Sequence, residues 1–119
     1  MEQLKEVLER FLTLDGVTLA AVTGTDGLII DSAGRPDFDA EAVSAVATSA
    51  VGAAQALAEE VTRGRLIQAM AEFENGVVIM EPLAELGVLL VLTESVSSIG
   101  RVRLVARRER EALERALAS

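Results

Sequence analysis

Apolar residues recur at Leu4, Val7, Leu8, Phe11 and Leu12, the i, i+3, i+4, i+7, i+8 spacing that lines one side of a helix. Residues 2–14 are therefore predicted helical, with Asp15-Gly16 as the stop. Val17 to Thr23 and Leu28 to Ile30 read as two strands joined through Asp26-Gly27, a hairpin signal because both residues tolerate the positive φ of a tight connection. Ala33-Gly34-Arg35-Pro36 reads as a loop, and Asp37 and Asp39 are candidate N-caps for the next helix.

Small residues dominate that helix, from about Ala40 to Val61. At about 100° per residue, Val43, Val46, Ala47, Ala50, Ala54, Leu57, Ala58 and Val61 fall within one arc of roughly 120° and are expected to pack on a sheet. The other arc holds Glu41, Ser44, Ala45, Thr48, Ser49, Gly52, Gln55, Ala56 and Glu59. It mixes polar groups with little bulk, as a surface that meets another helix closely would.

Arg65 to Phe73 alternates as a strand, Asn75-Gly76 marks a second hairpin, and Val77 to Met80 is the next strand, ended by Pro82. Leu83 to Leu86 connects it to a strand from Gly87 to Thr93. These last two strands are continuously apolar, so helices must cover both faces of the sheet. Ser97 or Ser98 is a candidate cap for a final helix whose Ile99, Val102, Ala106, Leu113, Ala116 and Leu117 make an apolar stripe. Arg107 with Glu111, Arg110 with Glu114, and Glu111 with Arg115 stand at i, i+4 spacing on its other side. The element order is α-β-β-α-β-β-β-α, an α+β fold, and residues 1–119 are expected to form a single domain.

Composition restricts the chemistry. The 119 residues include no His, Cys, Trp or Tyr and only three Phe. Ser-His-Asp and Cys-His nucleophilic sites and zinc sites of nitrogen and sulfur ligands are excluded, leaving carboxylates alone. The sole lysine, Lys5, lies between Leu4 and Glu6 and not beside a Gly-rich turn, so no P-loop is present. Asp26 and Asp31 flank the first hairpin, where turn chemistry explains Asp26 better than catalysis does. Glu72, Glu74, Glu81 and Glu85, at strand ends and connections, are expected to be solvated. No catalytic residue, cofactor or metal is expected. Ala45-Ser49-Ala53 has the spacing of a membrane helix-packing motif, but Ser44, Thr48, Gln55, Glu41, Glu59 and Glu60 argue against a bilayer span. No signal sequence is legible at Met1-Glu2-Gln3-Leu4, so a cytoplasmic location is expected.

Eleven basic and 19 acidic residues give a net charge of −8, which argues against a general nucleic-acid binder. Residues 1–98 carry 5 basic and 16 acidic groups and residues 99–119 carry 6 arginines and 3 glutamates, so an acidic body ends in a basic helix. Dipole complement and i, i+4 pairing explain most of those arginines. They do not explain Arg101 and Arg103 at the helix start.

A Leu-rich first helix ending in Asp15-Gly16-Val17, the Asp26-Gly27 turn before Leu28-Ile29-Ile30, an alanine-rich middle helix, and Leu92-Thr93 followed by Ile99-Gly100-Arg101-Val102-Arg103 together resemble the roadblock family. That family takes in dynein light chain roadblock proteins, scaffold subunits that recruit Ras-like GTPases, and bacterial MglB-like GTPase regulators. The resemblance implies a five-stranded antiparallel sheet of order 2-1-5-4-3, with the first and last helices on one face and the middle helix on the other. It also implies a homodimer made by pairing third strands with the middle helices side by side, placing Ala45, Thr48, Ser49, Gly52, Ala53, Ala56, Ile67, Ala69 and Ala71 at the interface. The exposed edge from Arg65 to Phe73 agrees with that expectation.

The function implied is a non-enzymatic adaptor that binds a small Ras-like GTPase, with Ser44, Val51, Gln55, Glu59, Arg63 and Arg65 facing it. Arg63, Arg65 and Arg35 could each act as a finger on a GTPase, although solvated turns explain all three. The alternatives are a structural oligomerisation subunit of a signalling or motility complex without a GTPase partner, and a carboxylate-dependent enzyme or small-ligand sensor.

Overall fold

In a computed structural model that describes residues 2–119, the elements are α1 (Glu2–Phe11), β1 (Val17–Thr23), β2 (Ile29–Gly34), α2 (Ala40–Glu60), β3 (Ala69–Phe73), β4 (Gly76–Leu83), β5 (Gly87–Thr93) and α3 (Ile99–Ala118), the last preceded by a 3-10 turn at Val96–Ser98. The strands form one antiparallel sheet of order β2-β1-β5-β4-β3. The element order is the one read from the sequence, and the sheet order is the one the family resemblance implies. α1 stops at Phe11, three residues before the expected end. Leu12, Thr13 and Leu14 continue as tightened turns, and Gly16 takes the left-handed φ of +78° that turns the chain into β1.

Two apolar layers hold the sheet. On one face Leu4, Val7, Leu8 and Phe11 of α1 and Val102, Ala106 and Leu113 of α3 pack on Ala20, Val22, Val77, Ile79, Leu89 and Val91. On the other face Ala47 and Val51 of α2 pack on Leu19, Ala21, Met80, Val88 and Leu90. β5 is the middle strand and its Val88, Leu89, Leu90 and Val91 are all buried, as a strand covered on both faces must be. Along β1 the register shifts between Val17 and Leu19, so Val17 joins the α1 and α3 layer while Leu19 joins the α2 layer.

Several boundaries differ from the sequence reading. β2 runs on through Ala33 and Gly34, because Ala33 is buried and pairs with Ala20, and Gly34 pairs with Leu19. A Cβ at Gly34, whose φ is +107°, would stand 2.2 Å from the Thr18 carbonyl oxygen, so the strand can end this close to β1 only with glycine. Pro82 lies inside β4 instead of ending it. β3 begins at Ala69, opposite Met80, so at Pro82 only β5 pairs with β4 and the missing N–H interrupts no ladder. For the same reason residues 65–68 are not strand.

α3 buries the predicted stripe. Its N-cap Ser98 makes no capping bond, since its hydroxyl is engaged with Thr93 Oγ1 at 2.8 Å and with the Ser95 carbonyl at 3.0 Å. Of the three expected i, i+4 pairs, Arg115–Glu111 is formed, at 3.9 Å. Arg10 reaches across from α1 to Glu109 at 3.6 Å.

Glu81 was expected at the surface and is fully buried beneath α3. Its Oε1 accepts from Gln68 Nε2 at 2.8 Å, Gln68 also donates to the Arg103 carbonyl at 3.2 Å, and Gln68 Oε1 accepts from Arg103 Nε at 2.8 Å. Arg103 thus has a structural role: with Gln68 it closes a polar clamp between α3 and the chain leading into β3. Among the described residues Glu81 Oε2 has no partner. Burial raises the Glu81 pKa, opposed by the Gln68 hydrogen bond and by the charges of Arg110 and Arg107, with Glu114 adding to the rise. A raised folded-state pKa means that Glu81 contributes most to stability below its unfolded-state pKa and loses that contribution as pH rises through the folded value. Glu81→Gln keeps an acceptor for Gln68 without a buried charge. It should unfold at higher urea concentration than the wild type at pH 7, with the difference narrowing toward pH 4.5. A variant uniformly less stable across that range contradicts this account.

Candidate functional site

α2 begins at Asp39, whose Oδ1 accepts from the N–H groups of Glu41 and Ala42 at 3.0 and 3.3 Å. Its rotation on the sheet differs from the one that apolar residues alone suggest. Ser44, Ala47 and Val51 point into the protein, whereas Val46, Leu57 and Val61, expected on the sheet, are exposed by 69%, 62% and 48%, and Ala50 is exposed with them. Polar bonds fix the rotation. Ser44 Oγ donates to the Gly27 carbonyl at 2.9 Å, and Thr48 Oγ1 donates to the Ser44 carbonyl at 2.9 Å and lies 3.2 Å from Thr23 Oγ1. Gly27, at φ +84°, makes the β1–β2 turn and also lets the helix approach, since a Cβ there would lie 3.3 Å from the Ala45 Cα.

The rotation leaves an apolar stripe, Val46, Ala50, Ala53 and Leu57, facing outward at i, i+4, i+7 and i+11. Between this stripe and β3 lies a groove of about 350 Å³ whose walls are Val46, Ala50, Ala71, Phe73, Val78 and Met80, all apolar. Phe73 is 61% exposed at its end. Beyond it β3 is an outer strand, paired only with β4, and among the described residues no side chain hydrogen-bonds to its backbone. The helix stripe and the groove thus set exposed apolar side chains beside an open strand edge.

Of the residues expected at a subunit contact, Ala45, Ser49, Gly52, Ala53 and Ala56 are exposed on α2, and Ala69 and Ala71 are half-buried within β3. Thr48 is half-buried by its bonds to Ser44 and Thr23, and Ile67 precedes the strand. Ser44, expected to face a GTPase, is buried against the sheet at 0% exposure and cannot do so; Val51, 3% exposed, packs on the sheet and adds only to the lining of the cavity described next. Gln55, Glu59 and Arg65 do come together, around an open cavity of about 490 Å³ between the second half of α2 and the β4–β5 turn, with Thr25 and Glu85 opposite. Arg63 folds back, its Nη1 donating to the Val61 carbonyl at 3.2 Å, as a charge at a helix C-terminus does. Arg35 lies apart, beside Lys5 and Glu9 on the α1 side. Asp26 serves the turn, accepting from the Leu28 N–H at 3.1 Å. Among the described residues no group of His, Cys, Asp and Glu is placed to hold a metal ion, and no helix is long and apolar enough to cross a membrane.

Residues 3–93 match the family model described as the Roadblock/LC7 domain. An uncharacterized protein of Methanocaldococcus jannaschii is 36% identical over 93% of this chain and 96% of its own length, and a second from that organism is 37% identical over 88% and 91%. Two solved structures share the fold. Myxococcus xanthus MglB superposes with a TM-score of 0.87 at 19% identity, covering 98% of this chain and 89% of its own. A gliding protein MglB from Thermus thermophilus superposes at 0.86 and 23% identity, covering 96% and 87%.

The rotation of α2 is directly testable. Ser44→Ala strands the buried Gly27 carbonyl and should cost about 1–3 kcal/mol, whereas Leu57→Ser, at an exposed position, should stay within about 0.5 kcal/mol. Urea unfolding in solution dilute enough to suppress self-association checks both, and equal losses would place Leu57 in the core.

Proposed function

This chain belongs to the Roadblock/LC7 domain family, and from that premise we propose that residues 1–119 form a single roadblock-like domain that acts as a homodimeric, non-catalytic adaptor for a small Ras-like GTPase in the cytoplasm. The observation that carries the reading is the uninterrupted run from the α2 stripe through the groove to the open β3 edge. An apolar helix face beside an unpaired strand suits a second copy of the same chain. Two β3 strands pair about a two-fold axis, and each copy's α2 covers the other's exposed Val46, Ala50 and Leu57. A solved structure of the same fold described as MglB with a tetrameric arrangement supports self-association as a property of such domains.

The small residues Ser49, Gly52, Ala53 and Ala56 let two such helices approach closely. The partner GTPase is assigned to the mixed-charge cavity around Gln55, Glu59 and Arg65, whose lining includes none of Val46, Ala50, Ala53 and Leu57. On this reading the chain's contribution is to position a partner. An oligomerisation subunit without a GTPase partner would use the same apolar surface and leave this cavity idle.

Light scattering should give twice the chain mass for the wild type and one chain mass for Leu57→Asp and Ala53→Arg, with circular dichroism unchanged. A wild type that stays monomeric at high concentration contradicts the dimer. Titration against Ras-like GTPases of the same genome, in GDP-bound and GTP-bound forms, should find one that binds and whose affinity falls at least tenfold with Arg65→Glu. Absence of binding to every such GTPase in both forms would leave the oligomerisation subunit as the function.

A further inference from the structure

The sheet has two outer strands, and they are finished differently. β3 presents its backbone with no side chain bonded to it among the described residues. β2 does not. Ser32 stands opposite Ala21 near the middle of β2, and both of its backbone groups are bonded by side chains. Asp31 Oδ1 accepts the Ser32 N–H at 2.8 Å, and Lys5 Nζ, reaching over from α1, donates to the Ser32 carbonyl. Lys5 Nζ also lies 3.6 Å from Asp31 Oδ1, so the two caps hold each other. In an antiparallel strand the N–H and C=O of one residue project to the same side, and a strand added to β2 would have to bond to this pair. The register shift between Val22 and Thr23, opposite Ile30, adds a second interruption to the same strand.

The need for such caps is visible beside them. Leu28, just before β2, and Ile30 within it are exposed, so this edge has apolar side chains as well as backbone to offer another chain. Lys5 is the only lysine in the sequence, and it sits on this edge.

We propose that Lys5 and Asp31 are an edge guard that prevents β2 from adding a strand of a second copy, confining self-association to β3. The inference rests on the β3 dimer proposed above and states what limits it. With one usable edge per chain, growth by strand pairing closes at two copies. With two usable edges it grows into a line of alternating β3 and β2 contacts.

The test is the double variant Lys5→Ala with Asp31→Ala, followed by light scattering over a hundredfold range of concentration. Its average mass should climb beyond twice the chain mass while the wild type holds steady, and adding Ile30→Lys, which puts like charges on both sides of a β2–β2 contact, should return it to the wild-type value. A folded double variant whose mass follows the wild type at every concentration overturns the proposal, and so does growth that Ile30→Lys leaves unchanged. Should the double variant lose its folded circular dichroism, Lys5→Met alone is read by the same criteria, since it frees the Ser32 carbonyl and leaves the Asp31 cap. A monomeric wild type contradicts the β3 dimer and leaves the guard to be judged by whether its loss creates association.

Discussion

Five strands at about 4.8 Å spacing make a sheet roughly 20 Å across, and each face must be kept from water by helices about 10–12 Å wide. Two helices suffice for one face, and α1 and α3 lie there side by side, joined by Arg10 and Glu109. The other face has α2 alone. A single helix covers about half of such a face, and α2 sits over β1, β5 and β4, leaving the flank toward β3 uncovered. The exposed apolar surface is therefore a consequence of having three helices for two faces.

The rotation of α2 follows from the same shortage. Small residues let the helix approach the sheet, and Ser44 and Thr48 fasten it to Gly27 and Thr23 near the β1–β2 turn. Those bonds favour an orientation in which Ala47 and Val51 cover what sheet they can reach. The larger side chains Val46 and Leu57 are turned toward the uncovered flank. There they extend the sheet's own exposed surface, so that Val46, Ala71, Phe73 and Met80 form one groove instead of separate patches. The function proposed above rests on this surface.

The polar groups that depart from simple expectation lie where elements are tied to one another. Glu81, Gln68 and Arg103 join β4, the approach to β3, and α3. Asp31 and Lys5 join β2 to α1. Buried or half-buried polar contacts of this kind specify an arrangement more than they stabilise it, because desolvation cancels much of the attraction. Among the described residues, side chains bond both backbone groups of Ser32 on β2 and none bonds the backbone of β3.

Element order, the two-sided burial of β4 and β5, the stripes of α1 and α3 and the Asp39 cap were legible in the sequence, because each depends on local periodicity or turn chemistry within a dozen residues. The candidate site was legible in part. Ala53, Gly52, Gln55, Glu59 and Arg65 lie on accessible surface, but Ser44 and Val51 do not, and Val46, Ala50 and Leu57 went to the wrong side of α2. A helical wheel ranks faces by apolarity, and on a helix made of small residues the outward face was the more apolar one. The decision came from Ser44 meeting a carbonyl 17 residues earlier and from a sheet wider than the helix. The burial of Glu81 and the clasp on Ser32 have the same origin. Each joins groups distant in sequence, so no local pattern encodes them, and only the assembled fold brings their atoms into bonding range.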